Sequence, residues 1–163
     1  MSYGGYGSYY EGWVVHLLMA KKDVWYSGYK DVRFDFNSQA TCRYKNGGHG
    51  RCDLVVHAYM PEKPQSGSYY NFEIKSGKRD LFSDKGLNLF SMYNYLVYPH
   101  SQITILPDAL TYEIVEQRLK EIGGDHVGII ALVSDTDIVI ERQAHRYYGD
   151  GMPPDIKGHS FLT

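Results

Sequence analysis

The sequence is poor in cysteine and proline, with only Cys42, Cys52 and six prolines among 163 residues. Two thiols cannot build a disulfide framework, which excludes the small secreted scaffolds that depend on one. Long apolar runs are missing as well. None approaches the ~18 residues of a membrane span, and the opening MSYGGYGSYYEG lacks the charged and apolar regions of a signal peptide. The expected location is therefore cytoplasmic, with no membrane partner. Nor is there an excess of one charge: 17 Lys+Arg face 19 Asp+Glu, a net −2. This excludes a polycationic, tail-driven mode of nucleic-acid binding, so any grip on phosphates must come from a local basic face.

What is present describes an ordinary globular chain. Hydrophobic residues make up 43% and charged residues 22%, enough for one buried core and one domain over residues 1–163. Sixteen tyrosines are the compositional oddity. They can pack, hydrogen-bond or stack on bases, so they suit several functions and choose none.

Periodicity orders the chain into an α/β pattern. Trp13, Val14, Leu17, Leu18 and Ala20 recur at near-helical spacing, which predicts a helix over Tyr9–Lys22. The two-residue period of Tyr29–Phe36 predicts a strand, and Arg51–Tyr59 and Tyr69–Lys75 read as two more, separated by a glycine-rich turn at Asn46–Gly50 and a polar loop at Pro61–Ser68. They read as an antiparallel meander. Beyond it the pattern predicts a helix over Lys78–Phe90, a strand over Tyr93–Tyr98 and a helix over Leu110–Ile122 capped by Gly123-Gly124. A core strand over Val127–Val133 and a partner over Asp137–Arg142 complete it. Residues 1–8 and 147–163 are expected to be loosely ordered.

Chemistry gathers at Asp53 and Phe72-Glu73-Ile74-Lys75. On a strand Glu73 and Lys75 point to one face and Ile74 to the other. A connection of modest length lays Asp53 beside Glu73, where two carboxylates repel unless a cation shares them. Mg²⁺ or Mn²⁺ fits that need, because such an ion takes a few carboxylates together with waters and phosphate oxygens. Lys75 can then orient or deprotonate a nucleophilic water and contact a phosphate. Lys78, Arg79 and Lys85 follow directly and can line a phosphate backbone.

Asp53 and Glu73-Ile-Lys75, on a helix-plus-meander background, resemble the PD-(D/E)xK nuclease superfamily. The run Phe72-Glu-Ile-Lys-Ser-Gly-Lys-Arg-Asp-Leu-Phe82, with Asp84-Lys85 and the aromatic strand ending Val97-Tyr98-Pro99, is most similar to its MmcB-like branch, associated with DNA repair. That branch has a Ser-x-x-Asp segment after its Glu-x-Lys; Ser76-Gly-Lys-Arg-Asp80 is one residue longer. Cys52 stands where the family name has proline, a position that binds nothing. The resemblance implies a restriction-endonuclease-like core, a central mixed sheet in αβββαβ order flanked by helices, with the site on the second and third strands. It implies a metal-dependent DNA endonuclease, structure-selective in repair or recombination being one such role. Asp53, Glu73 and the Ile74 carbonyl would hold the metal, Glu11 of the first helix would reach it through water, and Lys75 would serve the nucleophile. A small single-site domain would cut two strands as a homodimer.

Plainer readings compete with each of these. Glu73 and Lys75 can be an exposed ion pair worth about 0–1 kcal/mol, Asp53 a strand-start residue, and Glu11 a first-turn glutamate favoured by the helix dipole. Lys78, Arg79 and Lys85 can be a plain surface cluster, and Asp80 a brace for its helix. A binding or regulatory protein that keeps the fold without cleaving is the alternative at the level of function.

Overall fold

The computed structural model describes residues 3–43, 49–83, 89, 91–100, 108–147 and 155–156, with side chains for 10–39, 51–83, 89, 91–100 and 108–147. The chain runs through α1 (Tyr3–Ala20), α2 (Lys22–Trp25), β1 (Arg33–Arg43), β2 (His49–Met60), β3 (Lys63–Ile74), α3 (Lys78–Leu81), β4 (Tyr93–Pro99), α4 (Tyr112–Glu121), β5 (Gly128–Leu132), β6 (Ile138–Arg142) and β7 (Asp155–Ile156). Among the described residues the strands form one mixed sheet in the order β6-β5-β4-β3-β2-β1-β7. β1, β2 and β3 make the expected antiparallel meander. β3, β4 and β5 then run parallel, and β6 returns antiparallel.

Alternation of side chains along the strands explains why both faces need cover. Tyr95 and Val97 of β4 join Val14, Leu17, Leu18 and Trp25 in the core beneath α1 and α2. Leu96 and Tyr98 turn the other way, into a second core with Val115 and Leu119 of α4. Parallel strands covered on both faces read as nearly continuous apolar runs, as Tyr93–Tyr98 and Val127–Val133 do. The result is an α/β architecture with helices on both faces of a mixed sheet. No described helix is long and apolar enough to cross a membrane.

The ends of α4 follow the sequence closely. Thr111 caps it by accepting the Ile114 N–H at 3.3 Å. Gly123 takes a left-handed conformation, φ 74°, and the Gly124 N–H returns to the Leu119 carbonyl at 2.7 Å. Ile122, expected on the apolar face, is exposed because the helix stops one residue before it.

Other boundaries differ from expectation. The helix predicted over Lys78–Phe90 is a single turn, Lys78–Leu81; residues 84–88 and 90 lie outside the described residues. β3 starts at Lys63 rather than Tyr69, since the polar stretch pairs backbone to backbone with the far end of β2, Met60 opposite Lys63 and Ala58 opposite Ser68. Its Pro, Ser and Gly content reads as a loop because ladder hydrogen bonds do not depend on side-chain polarity. α1 extends back to Tyr3 through three glycines, which nothing in the described side chains explains. α2 is a further turn, held where the Trp25 indole N–H donates to the Leu18 carbonyl at 2.9 Å. In the tail, Asp155–Ile156 pairs with β1, and the Tyr147 N–H donates to the Met92 carbonyl at 2.8 Å.

Candidate active site

The ladder between β2 and β3 ends at Leu54 opposite Phe72. One step further the strands part, and the next β3 donor, the Ile74 N–H, is met by a side chain: Asp53 accepts it through Oδ2 at 2.7 Å. An extended residue presents its N–H and C=O along one edge. The Ile74 carbonyl therefore faces the same gap as Asp53. On its other edge β3 remains paired, the Lys75 N–H donating to the Val97 carbonyl at 2.8 Å. The opening is thus local to the β2 side, and it is lined by acidic groups.

Glu73 and Lys75 are both buried and lie 3.4 Å apart, Oε1 to Nζ. A buried pair is costly to desolvate, so it is weak support for stability and suggests another use. Glu73 Oε2 is buried and has no hydrogen-bond partner among the described residues. An orphaned carboxylate oxygen of this kind calls for a partner such as an ion or a water. Burial and the negative charge of Asp53 push the Glu73 carboxyl up to about 7, against the opposing pull of Lys75.

Glu11 joins from α1. Burial, a hydrogen bond with Asp53 and the charge of Asp53 push its carboxyl up to about 8, while Arg51 and Gln39 pull the other way. Glu11, Asp53 and Glu73 therefore form a chain in which Asp53 repels both neighbours. Among the described residues no three His, Cys, Asp or Glu side chains are grouped to hold a metal ion. The carboxylates interact pairwise across Asp53. Asp53, Glu73 and the Ile74 carbonyl are the groups able to hold it, with Glu11 behind Asp53.

Lys78 and Arg79 are exposed on the turn immediately after Lys75. That turn is tied down by Asp108, whose Oδ1 accepts the Arg79 N–H at 2.9 Å and whose carbonyl accepts the Lys78 N–H at 3.1 Å. Gly77 permits this approach, since a Cβ there would lie 2.1 Å from Asp108 Oδ2. Lys85 lies outside the described residues.

Three participants were not read as part of the site from the sequence. Gln39 of β1 donates its side-chain amide to Glu11 Oε2 from a left-handed backbone, φ 56°. Tyr10 donates its hydroxyl to the Lys75 carbonyl at 3.0 Å. Asp80, read as a helix brace, also lies 3.8 Å from Lys75 Nζ. Only Asp80 had a local signal, its place five residues after Lys75; the other two arrive from elements distant in sequence.

The chain matches no protein-family model and no curated protein sequence.

Proposed function

We propose that the protein is a divalent-metal-dependent nuclease that hydrolyses DNA phosphodiester bonds at the open end of β2 and β3. The observation that carries this reading is the buried Lys75–Glu73 pair, 3.4 Å apart, set beside Asp53 where the strand ladder opens. A structural ion pair would gain little from burial, and it would gain nothing from a second and a third carboxylate nearby. The meander, the first helix carrying Glu11 and the site on the second and third strands agree with the restriction-endonuclease-like core that the sequence resembles.

Mg²⁺ or Mn²⁺ held by Asp53, Glu73 and the Ile74 carbonyl would supply Lewis acidity at a phosphoryl oxygen and a water of lowered pKa. The chain's own groups account for the rest. Asp53 and Glu73 concentrate negative charge for the cation, and Glu11 holds Asp53 from the helix side. Lys75 presents an ammonium to the attacking water and to the phosphate, positioned on a paired strand end rather than a loop. Lys78 and Arg79 meet the phosphates on either side. In the reaction the water oxygen bonds to phosphorus, one bridging P–O bond breaks, and the released oxygen takes up a proton. Cutting both strands of a duplex with one such site calls for two copies of the chain.

The test is cleavage of labelled duplex, single-stranded, flap and four-way-junction DNA with Mg²⁺ or Mn²⁺, beside EDTA and Lys75→Ala. Metal-dependent cutting that falls roughly 10²–10⁴-fold in Lys75→Ala is expected. Binding without cutting on every substrate would instead make this a non-catalytic DNA-binding protein.

A further inference from the structure

The Lys75 ammonium has a second carboxylate beside it. Asp80 Oδ1 lies 3.8 Å from Nζ, while its Oδ2 accepts the Ser76 N–H at 3.0 Å and the Ser76 hydroxyl at 3.3 Å. Asp80 is held in turn, because the turn that carries it is pinned by Asp108 and the Ser83 hydroxyl donates to its carbonyl at 2.9 Å. The Lys75 backbone is also fixed on two sides, by the Val97 carbonyl and the Tyr10 hydroxyl. A lysine side chain is otherwise long and mobile, with many rotamers to lose.

We infer that Asp80 is a positioning residue for Lys75, keeping the ammonium in place when Glu73 turns its charge to another partner. The inference rests on the nuclease reading above, in which Glu73 serves a cation. Glu73 cannot then remain the sole counter-charge of a buried lysine. Asp80 can take that part. Its side chain is 40% exposed, so it stays hydrated, and it stands outside the Asp53–Glu73 pair. The Ser76 bonds give it a fixed direction that a surface aspartate would lack.

A simple brace of the Ser76-Gly77 turn would need only an acceptor, whereas positioning needs the charge. Asp80→Asn separates the two, since an amide oxygen still accepts from Ser76 but carries no charge. For Asp80→Asn we expect kcat to fall roughly 10- to 100-fold, with KM for DNA and the melting temperature close to wild type, and with partial recovery in Asp80→Glu. Wild-type kcat in Asp80→Asn, while Lys75→Ala abolishes cleavage, would overturn the positioning role and leave the nuclease reading standing. A loss of folding or melting temperature shared by the Asn and Glu variants would reduce Asp80 to a brace and overturn it too. A wild-type chain that cleaves none of the substrates would remove both.

Discussion

The two ends of the β2–β3 pair use one face of one sheet in opposite ways. At the closed end His57 stands opposite Tyr69 in register, and their rings stack 4.3 Å apart with planes within 2°. Two pairs further along the same face come Asp53 and Glu73, where the ladder has opened and carboxylates stand in place of rings. The closed end keeps its strands in register from Leu54–Phe72 to Ala58–Ser68, with its rings in contact. The open end leaves a buried oxygen of Glu73 unmatched and sets like charges together. On the proposed nuclease function, that arrangement serves chemistry rather than stability.

The comparison breaks most severely if the closed end is cut. Tyr69 is almost fully buried, and truncating a buried aromatic ring costs about 3–5 kcal/mol. Tyr69→Ala is expected to lose that much in chemical denaturation and, on the proposed function, to keep the cleavage rate of its folded fraction.

The open end should give the opposite result with pH. Glu73 and Glu11 have their carboxyls raised from 4.5 to about 7 and about 8 in the folded chain, so the folded state holds protons that the unfolded state has released. Their contribution to stability is therefore complete below about pH 4.5 and is lost as pH rises through 7 to 8. In EDTA the melting temperature should fall across that window. Added Mg²⁺ or Mn²⁺ should raise it more at pH 8 than at pH 5, and Asp53→Asn should flatten the slope. A slope unchanged in Asp53→Asn would mean that the carboxylates do not interact through it.

The smallest expected effect is at Gln39, whose left-handed backbone strains any residue with a Cβ. Gln39→Gly and Gln39→Ala both lose the amide that meets Glu11, but only glycine relieves the strain. The glycine variant should be more stable than the alanine variant by about 1 kcal/mol. Equal stabilities would show that the conformation carries no strain.

Parts of this were legible in the residues. Arg51–Tyr59 and Tyr69–Lys75 were readable as the strands that carry Asp53 and Glu73, with Lys75 directly after β3, and the order helix, meander, strand, helix, strand pair held. Local patterns are readable because a strand repeats every two residues and a helix every 3.6, whatever surrounds them. The start of β3 was not readable, because Lys63–Ser68 becomes a strand only through β2. The length of α3 was not readable either, for nothing in Lys78–Phe90 marks where Asp108 would pin the turn.

Local sequence pattern suffices for the α/β order, the apolar runs of β4 and β5, the glycine end of α4, and the sharing of one strand face by Glu73 and Lys75. These depend on neighbours within a few positions along the chain. The tertiary structure decides that the β2–β3 ladder stops at Leu54 and Phe72, that Glu11 meets Asp53 and Gln39 meets Glu11, and that Lys75 sits between two carboxylates. Each of those joins residues far apart in sequence, and the raised carboxyls of Glu11 and Glu73 come from burial and from charges that folding alone brings together.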